Sequence, residues 1–252
     1  MRLTILGSSA SYADAGRACA GYLVRCGGVS VLFDCGNGVI ANLSQVIDPV
    51  ELDAVFITHE HIDHFADVYA LQAALRYAPS GPVRALALYT PAGLFERMGA
   101  VLGERGRSEL AEAFEVRELR AGEAVRVGGI TVTPYPVDHA DPTFALVAQC
   151  GSARLAYTSD TRIGDAARAA VSRADVMLAD ATLPEEYAGK SAHMTPKEAG
   201  ELACDAGAGT LVLTHLWPTV DRTRAAQEAA AAFGGRVVVA NELDEILVGK
   251  EE

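Results

Sequence analysis

The sequence has no uncharged apolar run near the roughly 20 residues that span a bilayer. Its longest runs are strand-sized and broken by Gly, Pro or Asp. The opening Met1 to Gly7 lacks the apolar stretch and small-residue cleavage site of a secretory signal and reads as a first strand, so a cytoplasmic protein is expected. Low-complexity tails and long linkers are also missing. No Cys-x-x-Cys pair occurs among the five cysteines (Cys19, Cys26, Cys35, Cys150, Cys204), which excludes a thiolate zinc knot and a dithiol redox motif. The odd count points instead to reduced, mostly buried thiols. Positive charge is scarce, with 21 Lys and Arg against 33 Asp and Glu and a net charge of −12. Long nucleic acids, whose binding rests on clustered basic residues, are therefore poor candidates for a partner. Bound divalent cations would offset that charge locally and leave room for a small anionic substrate.

Half of the 252 residues are hydrophobic, enough for a full core. Short β-branched runs at 3–6, 21–25 and 29–33 predict strands, with Cys26-Gly27-Gly28 as a hairpin turn. Helical spacing follows over 38–47, a buried strand over 53–58 and a helix over 63–77. A strand at 85–89 and a helix at 91–102 come next, and a polar turn at 103–108 marks the seam between two halves. The second half repeats the order. Strands are expected at 115–119, 130–137, 144–149 and 155–158, a helix at 165–172, and a strand at 176–179. A helix over 195–206 opens with Pro196 in its first turn, followed by a strand at 210–214, an Ala-rich helix to 233 and strands at 237–239 and 245–248. Two sheets flanked by helices fit this alternation.

The strongest local feature is His59-Glu60-His61-Ile62-Asp63-His64, between a buried strand and a helix, which gathers three of the six histidines. Alternate residues of an extended segment point the same way, so His59 and His61 can share one cation, while the turn into the helix re-aims Asp63 and His64 toward a second. A catalytic zinc takes about three protein ligands and keeps a position for water, so further ligands must come from elsewhere. His139, Asp160 and His215 each follow a predicted strand and can supply them. Singly, such a histidine is an ordinary packing or surface group; beside the cluster, the three complete two shells.

The order His-x-His-x-Asp-His, then His, Asp and His resembles the metallo-β-lactamase superfamily, and the resemblance runs from Leu3 to the last strand. It implies an α/β fold of four layers, αβ/βα, with two mixed β-sheets sandwiched between helices. One domain covers 1–252, with pseudo-halves of about 1–108 and 109–252. By the resemblance, His59, His61 and His139 hold one metal, Asp63, His64 and His215 a second, and Asp160 bridges them. The ions are expected to be zinc, with manganese as the alternative. Leu6-Gly7-Ser8-Ser9 resembles the family's opening strand and loop. Leu32-Phe33-Asp34-Cys35-Gly36 resembles the segment whose acid, here Asp34, orients a ligand histidine.

Asp at the bridging place disfavours β-lactam hydrolysis, whose enzymes usually carry Cys there. Glyoxalase-like thioesterases and ribonuclease Z-like phosphodiesterases share the Asp. The segment 191–200, Ser-Ala-His-Met-Thr-Pro-Lys-Glu-Ala-Gly, resembles the ribonuclease Z-like His-x-Thr segment, whose histidine lies beside the scissile phosphate. That makes His193 a catalytic candidate as proton donor or charge stabiliser, with Asp63 a secondary one that orients the nucleophile. Thr195 also suits a helix cap. The family's tRNA-binding arm lies between the third histidine and the bridging acid, but His139 and Asp160 are only 21 positions apart, room for two strands and a turn. The expected activity is hydrolysis of a small phosphodiester such as a 3′,5′-cyclic nucleotide. tRNA 3′ processing is the alternative, and a thioesterase or lactonase the further one. Arg162 reads as a surface residue, and Trp217 with Pro218 as either packing or the wall of a base pocket. Dimers are common in the family resembled, although no residue here establishes one.

Overall fold

The computed structural model describes residues 1–79 and 84–249. Among these described residues, fourteen strands make two seven-stranded sheets. The first half of the chain supplies β1 (Arg2–Gly7), β2 (Gly21–Cys26), β3 (Val29–Phe33), β4 (Ala54–Phe56), β5 (Leu86–Thr90) and β6 (Phe114–Glu118). The second supplies β7 (Val125–Val127), β8 (Ile130–Pro136), β9 (Phe144–Cys150), β10 (Ala153–Tyr157), β11 (Val176–Asp180), β12 (Thr210–Thr214) and β13 (Arg236–Val239). The last strand, β14 (Glu245–Leu247), returns to the first sheet and pairs antiparallel with β1. Each sheet is mixed: β3 to β6 run parallel, as do β10 to β13, and the remaining pairs are antiparallel.

Three apolar clusters define the layers. One lies between the sheets, where Leu3, Tyr22, Phe33 and Phe56 meet Leu146, Leu155, Leu178 and Val212. A second packs the outer face of the first sheet against α1 (Val39–Leu43), α2 (Val68–Arg76), α3 (Leu94–Ala100) and α4 (Glu104–Ala113). The third packs the other sheet against α5 (Asp165–Val171), α6 (Pro196–Ala206) and α7 (Arg222–Phe233). This is the four-layer αβ/βα arrangement. Strands buried on both faces, such as β4, read as unbroken apolar runs, whereas β8, next to the edge strand β7, alternates buried and half-buried residues.

Some local expectations change. Residues 103–108 are not a turn: they open α4, whose Leu110 and Ala113 are buried three apart while Arg105 and Glu109 pair at 2.9 Å on the outer face. The helix expected over 63–77 is split into a single 3-10 turn at Ile62–His64 and α2. The cysteines are not all reduced. Cys26 and Cys150 form a disulfide, because the ends of β2 and β9 face each other from the two sheets with Cα atoms 6.6 Å apart. Cys19 and Cys35 are buried thiols and Cys204 is an exposed one.

Candidate functional site

One end of the sandwich gathers the side chains singled out from the sequence, at or just beyond the carboxyl ends of β3, β4, β8, β10 and β12, where open α/β sheets bind ligands. Beyond β4 the chain bends at His59 and Glu60, is extended at His61, and the 3-10 turn then swings Asp63 and His64 to the other side. That turn is clamped against the end of β3. Cys35 N–H donates to the His64 carbonyl at 2.7 Å, and a Cβ on Gly36 would stand 2.0 Å from the Asp63 carbonyl oxygen. Asp34, Ser159 and His215 take left-handed backbone angles (φ 55°, 54° and 52°), a conformation unfavourable for residues with side chains that concentrates at functional sites.

Ligand atoms of His59, His61, His139 and Asp160 lie within 4.8 Å of one another, as do those of Asp63, His64 and His215. Asp160 stands between the two groups. Its Oδ2 is 3.6 Å from His59 Nε2, 3.6 Å from His139 Nε2 and 3.4 Å from His64 Nε2, and its Oδ1 is 3.3 Å from His215 Nδ1. Asp63 Oδ2 lies 3.3 Å from His215 Nε2 and accepts the Ser11 amide at 2.7 Å. His193 approaches Asp160 at 3.9 Å from the open side.

An outer ring of partners fixes the rings. Asp34, fully buried, takes His64 Nδ1–H at 2.7 Å, Tyr157 O–H at 2.9 Å and the Thr58 amide at 2.8 Å. The Ala192 carbonyl can only accept, so His139 Nδ1 carries the proton that it donates there at 2.9 Å. With Nδ1 engaged in this way, Nε2 is the nitrogen that each of these two rings presents to the cluster.

Asp180, at the end of β11, is a residue that the sequence reading missed. It accepts from His193 Nδ1 at 2.9 Å, Thr182 Oγ1 at 2.6 Å and the Thr161 amide at 3.2 Å, and Thr182 Oγ1 in turn holds His215 Nδ1 at 2.8 Å. The signal was present: an acid closes a buried strand lying between the strands that precede Asp160 and His215.

The charges are arranged for cations. Burial and the neighbouring His64 hold the His59 ring well below its ordinary pKa, so it is neutral, and burial lowers His139 in the same direction. Burial would do the same to His215, but Asp160, followed by Asp180 and Asp63, outweighs it and pushes that ring up to about 10. His64 is raised in the same way by Asp160 and Asp34. Asp160 and Asp63 stay ionised despite burial, chiefly because of His215 with help from His64. These two ionised carboxylates out of water demand positive charge, which protons on His64 and His215 supply in the metal-free protein. Meanwhile His59 Nε2 and Asp160 Oδ1 are buried polar atoms with no hydrogen-bond partner. A hard or borderline divalent cation satisfies both needs, so the cluster is suited to metal binding.

Comparison with known proteins agrees. Residues 30–216 match the model of the β-lactamase superfamily domain. The chain belongs to that superfamily. It is 33% identical over 253 residues to an uncharacterized protein of Mycobacterium tuberculosis, covering 98% of this chain and 92% of that one. It is 29% identical over 277 residues to ribonuclease Z of Mycobacterium bovis, covering 98% of each. The crystal structure of the metallo-β-lactamase fold protein YhfI from Bacillus subtilis superposes with a TM-score of 0.87 at 27% identity, covering 98% of each chain. With a probable metallo-hydrolase and a ribonuclease among its relatives, the chain is a hydrolase of the metallo-β-lactamase fold. No helix among the described residues is long and apolar enough to cross a membrane.

Proposed function

We propose that the protein is a dinuclear, zinc-dependent phosphodiesterase acting on a small phosphodiester such as a 3′,5′-cyclic nucleotide. His59, His61 and His139 would hold one ion, Asp63, His64 and His215 the other, and Asp160 both. Such ions supply positive charge for phosphate oxygens and a water acidic enough to lose its proton near neutral pH. The observation that carries the choice of a phosphodiester is the pair His193–Asp180. A carboxylate at 2.9 Å holds His193 Nδ1–H, which leaves the Nε2 proton as the one the ring can give to the departing alkoxide oxygen. Asp63 has a secondary role in orienting the nucleophile, since its Oδ2 is fixed by Ser11 N–H.

A small substrate is favoured over tRNA because the stretch between His139 and Asp160 is filled by β9, a tight turn and β10, leaving no arm. The overall charge of −12 works against a polyanion as well. A metal-replete screen of 3′,5′-cyclic mononucleotides, bis(p-nitrophenyl) phosphate, pre-tRNA and thioesters tests the reading. Turnover of the diesters is expected; turnover of thioesters with silence on every diester would sink it.

A further inference from the structure

Beside the cluster lies a groove of about 600 Å³, a size typical of small-molecule sites, with Tyr12, Tyr187 and Trp217 in its walls. These walls continue the segments that build the site. Tyr12 follows Ser11, which holds Asp63, and Trp217 comes two residues after His215. Pro184 stands two residues beyond Thr182, the partner of His215, and Pro196 opens α6 three residues beyond His193. A diester whose phosphate meets the cluster therefore has this groove as the neighbour for one of its two organic arms.

The lining is unusual in two respects. First, the three aromatic residues are left open to solvent, Tyr12 at 53%, Tyr187 at 43% and Trp217 at 38%, although each ring would be stabilised by cover. Tyr187 meets Trp217 edge to face at 6.4 Å, and Lys190 sits 4.7 Å from the centre of the Tyr187 ring, so a cation already occupies Tyr187 and Trp217 is the larger ring left for stacking. Second, Glu185, Glu186, Asp221 and Glu228 also line the groove, and its one basic residue, Arg224, is bound to Glu228 at 2.7 Å. Lys197 reaches Glu185 at 3.9 Å, so the lining keeps a net negative charge, carried by Glu186 and Asp221, that a second phosphate entering here would meet. A nucleobase brings a π face for Trp217 and N–H donors for the carboxylates.

We infer that this groove is a nucleobase subsite. The substrate is a phosphodiester of a single nucleoside, its base stacked on Trp217, with no phosphate other than the one cleaved. The inference rests on the phosphodiesterase reading and narrows it to mononucleotides.

The test compares a 3′,5′-cyclic nucleotide with the same cyclic phosphate lacking its base, on the metal-loaded full-length protein. Alanine scanning of base–aromatic stacking leads to an expected drop of about tenfold in the kcat/KM preference for the base-bearing diester in Trp217→Ala. Trp217→Phe should recover most of that preference. Trp217 is the single tryptophan of the chain, so adenosine should quench the intrinsic fluorescence of the wild type, and adenosine bisphosphate should do so far more weakly. If diesters are cleaved but the preference is unchanged in Trp217→Ala, the subsite is refuted and the phosphodiesterase reading stands. If no diester is cleaved, that reading falls, and the fluorescence titration still decides the subsite: quenching by adenosine upholds it and its absence overturns it.

Discussion

Replacing Asp180 by Asn tests whether the acid beneath His193 matters to turnover. The asparagine side chain can still accept at one oxygen from the Thr182 amide (2.9 Å) and hydroxyl (2.6 Å). Its other position becomes an NH2 facing the Thr161 amide at 3.2 Å and His193 Nδ1 at 2.9 Å, two donors where a carboxylate had accepted. A hydrogen bond to a charged group is worth about 1.5–3 kcal/mol. Lost from the group that protonates the leaving oxygen, it lowers kcat by about 10- to 100-fold, at 1.36 kcal/mol per tenfold. Asp180 also sets the charge of His193: burial would lower that ring's pKa, but the Asp180 carboxylate raises it. An acid works while protonated, so wild-type activity should fall as pH rises through the raised value, and in Asp180→Asn this basic limb should move to lower pH. The assay is kcat against pH on bis(p-nitrophenyl) phosphate, with metal content measured in parallel by mass spectrometry. His193→Ala should cost about 100-fold or more. Because both residues act through one proton, the double variant should be no worse than His193→Ala alone. Wild-type kcat with an unmoved limb in Asp180→Asn, or losses that multiply in the double variant, would refute the reasoning.

Asp160→Ala removes the carboxylate that stands 3.3 to 3.6 Å from His59, His64, His139 and His215, and should strip the purified protein of metal; full metal occupancy would count against Asp160 as the shared ligand. Gly36→Ala forces a methyl to within 2.0 Å of the Asp63 carbonyl oxygen; it should cost about 1–3 kcal/mol in urea unfolding and weaken metal retention, because the backbone that aims Asp63 must shift. In the chelated protein, His215 has a folded pKa of about 10. That is above the roughly 6.5 of an unfolded histidine. Its protonation therefore stabilises the fold fully below 6.5, and that contribution is lost as pH rises to 10, so the melting temperature of the metal-free protein should fall across this window. The Cys26–Cys150 bond closes a loop of 124 residues, so Cys26→Ser should lower stability by about 2–5 kcal/mol, and thiol titration of the denatured wild type should find three free cysteines.

Much of the fold was legible because buried parallel strands and amphipathic helices leave strong local patterns: 29–33, 210–214 and the capped start of α6 fall where the residues put them. The split of 63–77 was not, because apolar spacing continues through a segment whose backbone is set by the clamp on Gly36 and Cys35, both distant in sequence. The turn expected at 103–108 shows the opposite failure, where Gly and polar residues belong to the exposed face of a helix anchored by Leu110 and Ala113. In the site, the metal-ligand candidates cluster by type and spacing, so they could be named. Asp180 could not, since a lone acid at a strand end acquires meaning only when β11 falls between β10 and β12. The disulfide was hidden for the same reason: the two turns become neighbours only when the sheets stack.

The stacking of the sheets also explains why the site is held so firmly. Candidate ligands come from both, 59–64 from the first sheet and His139, Asp160 and His215 from the second, so the cluster's geometry is only as good as the alignment between sheets. Two buried tyrosines reach across to fix it, Tyr22 from β2 to Thr214 Oγ1 at 2.9 Å and Tyr157 from β10 to Asp34 at 2.9 Å, their rings 4.7 Å apart between them. Each hydroxyl bond ends one residue before a candidate ligand or on the acid that orients one. The Phe144 amide adds a backbone bond to the Thr58 carbonyl, next to His59. Cys26 and Cys150 join the sheets at the opposite end, since β3 and β10 run away from those turns toward the site. A sandwich pinned at both ends resists the sliding that an apolar interface alone would allow, and a site built across two sheets needs that resistance to keep its ligand atoms within coordination range of a shared cation.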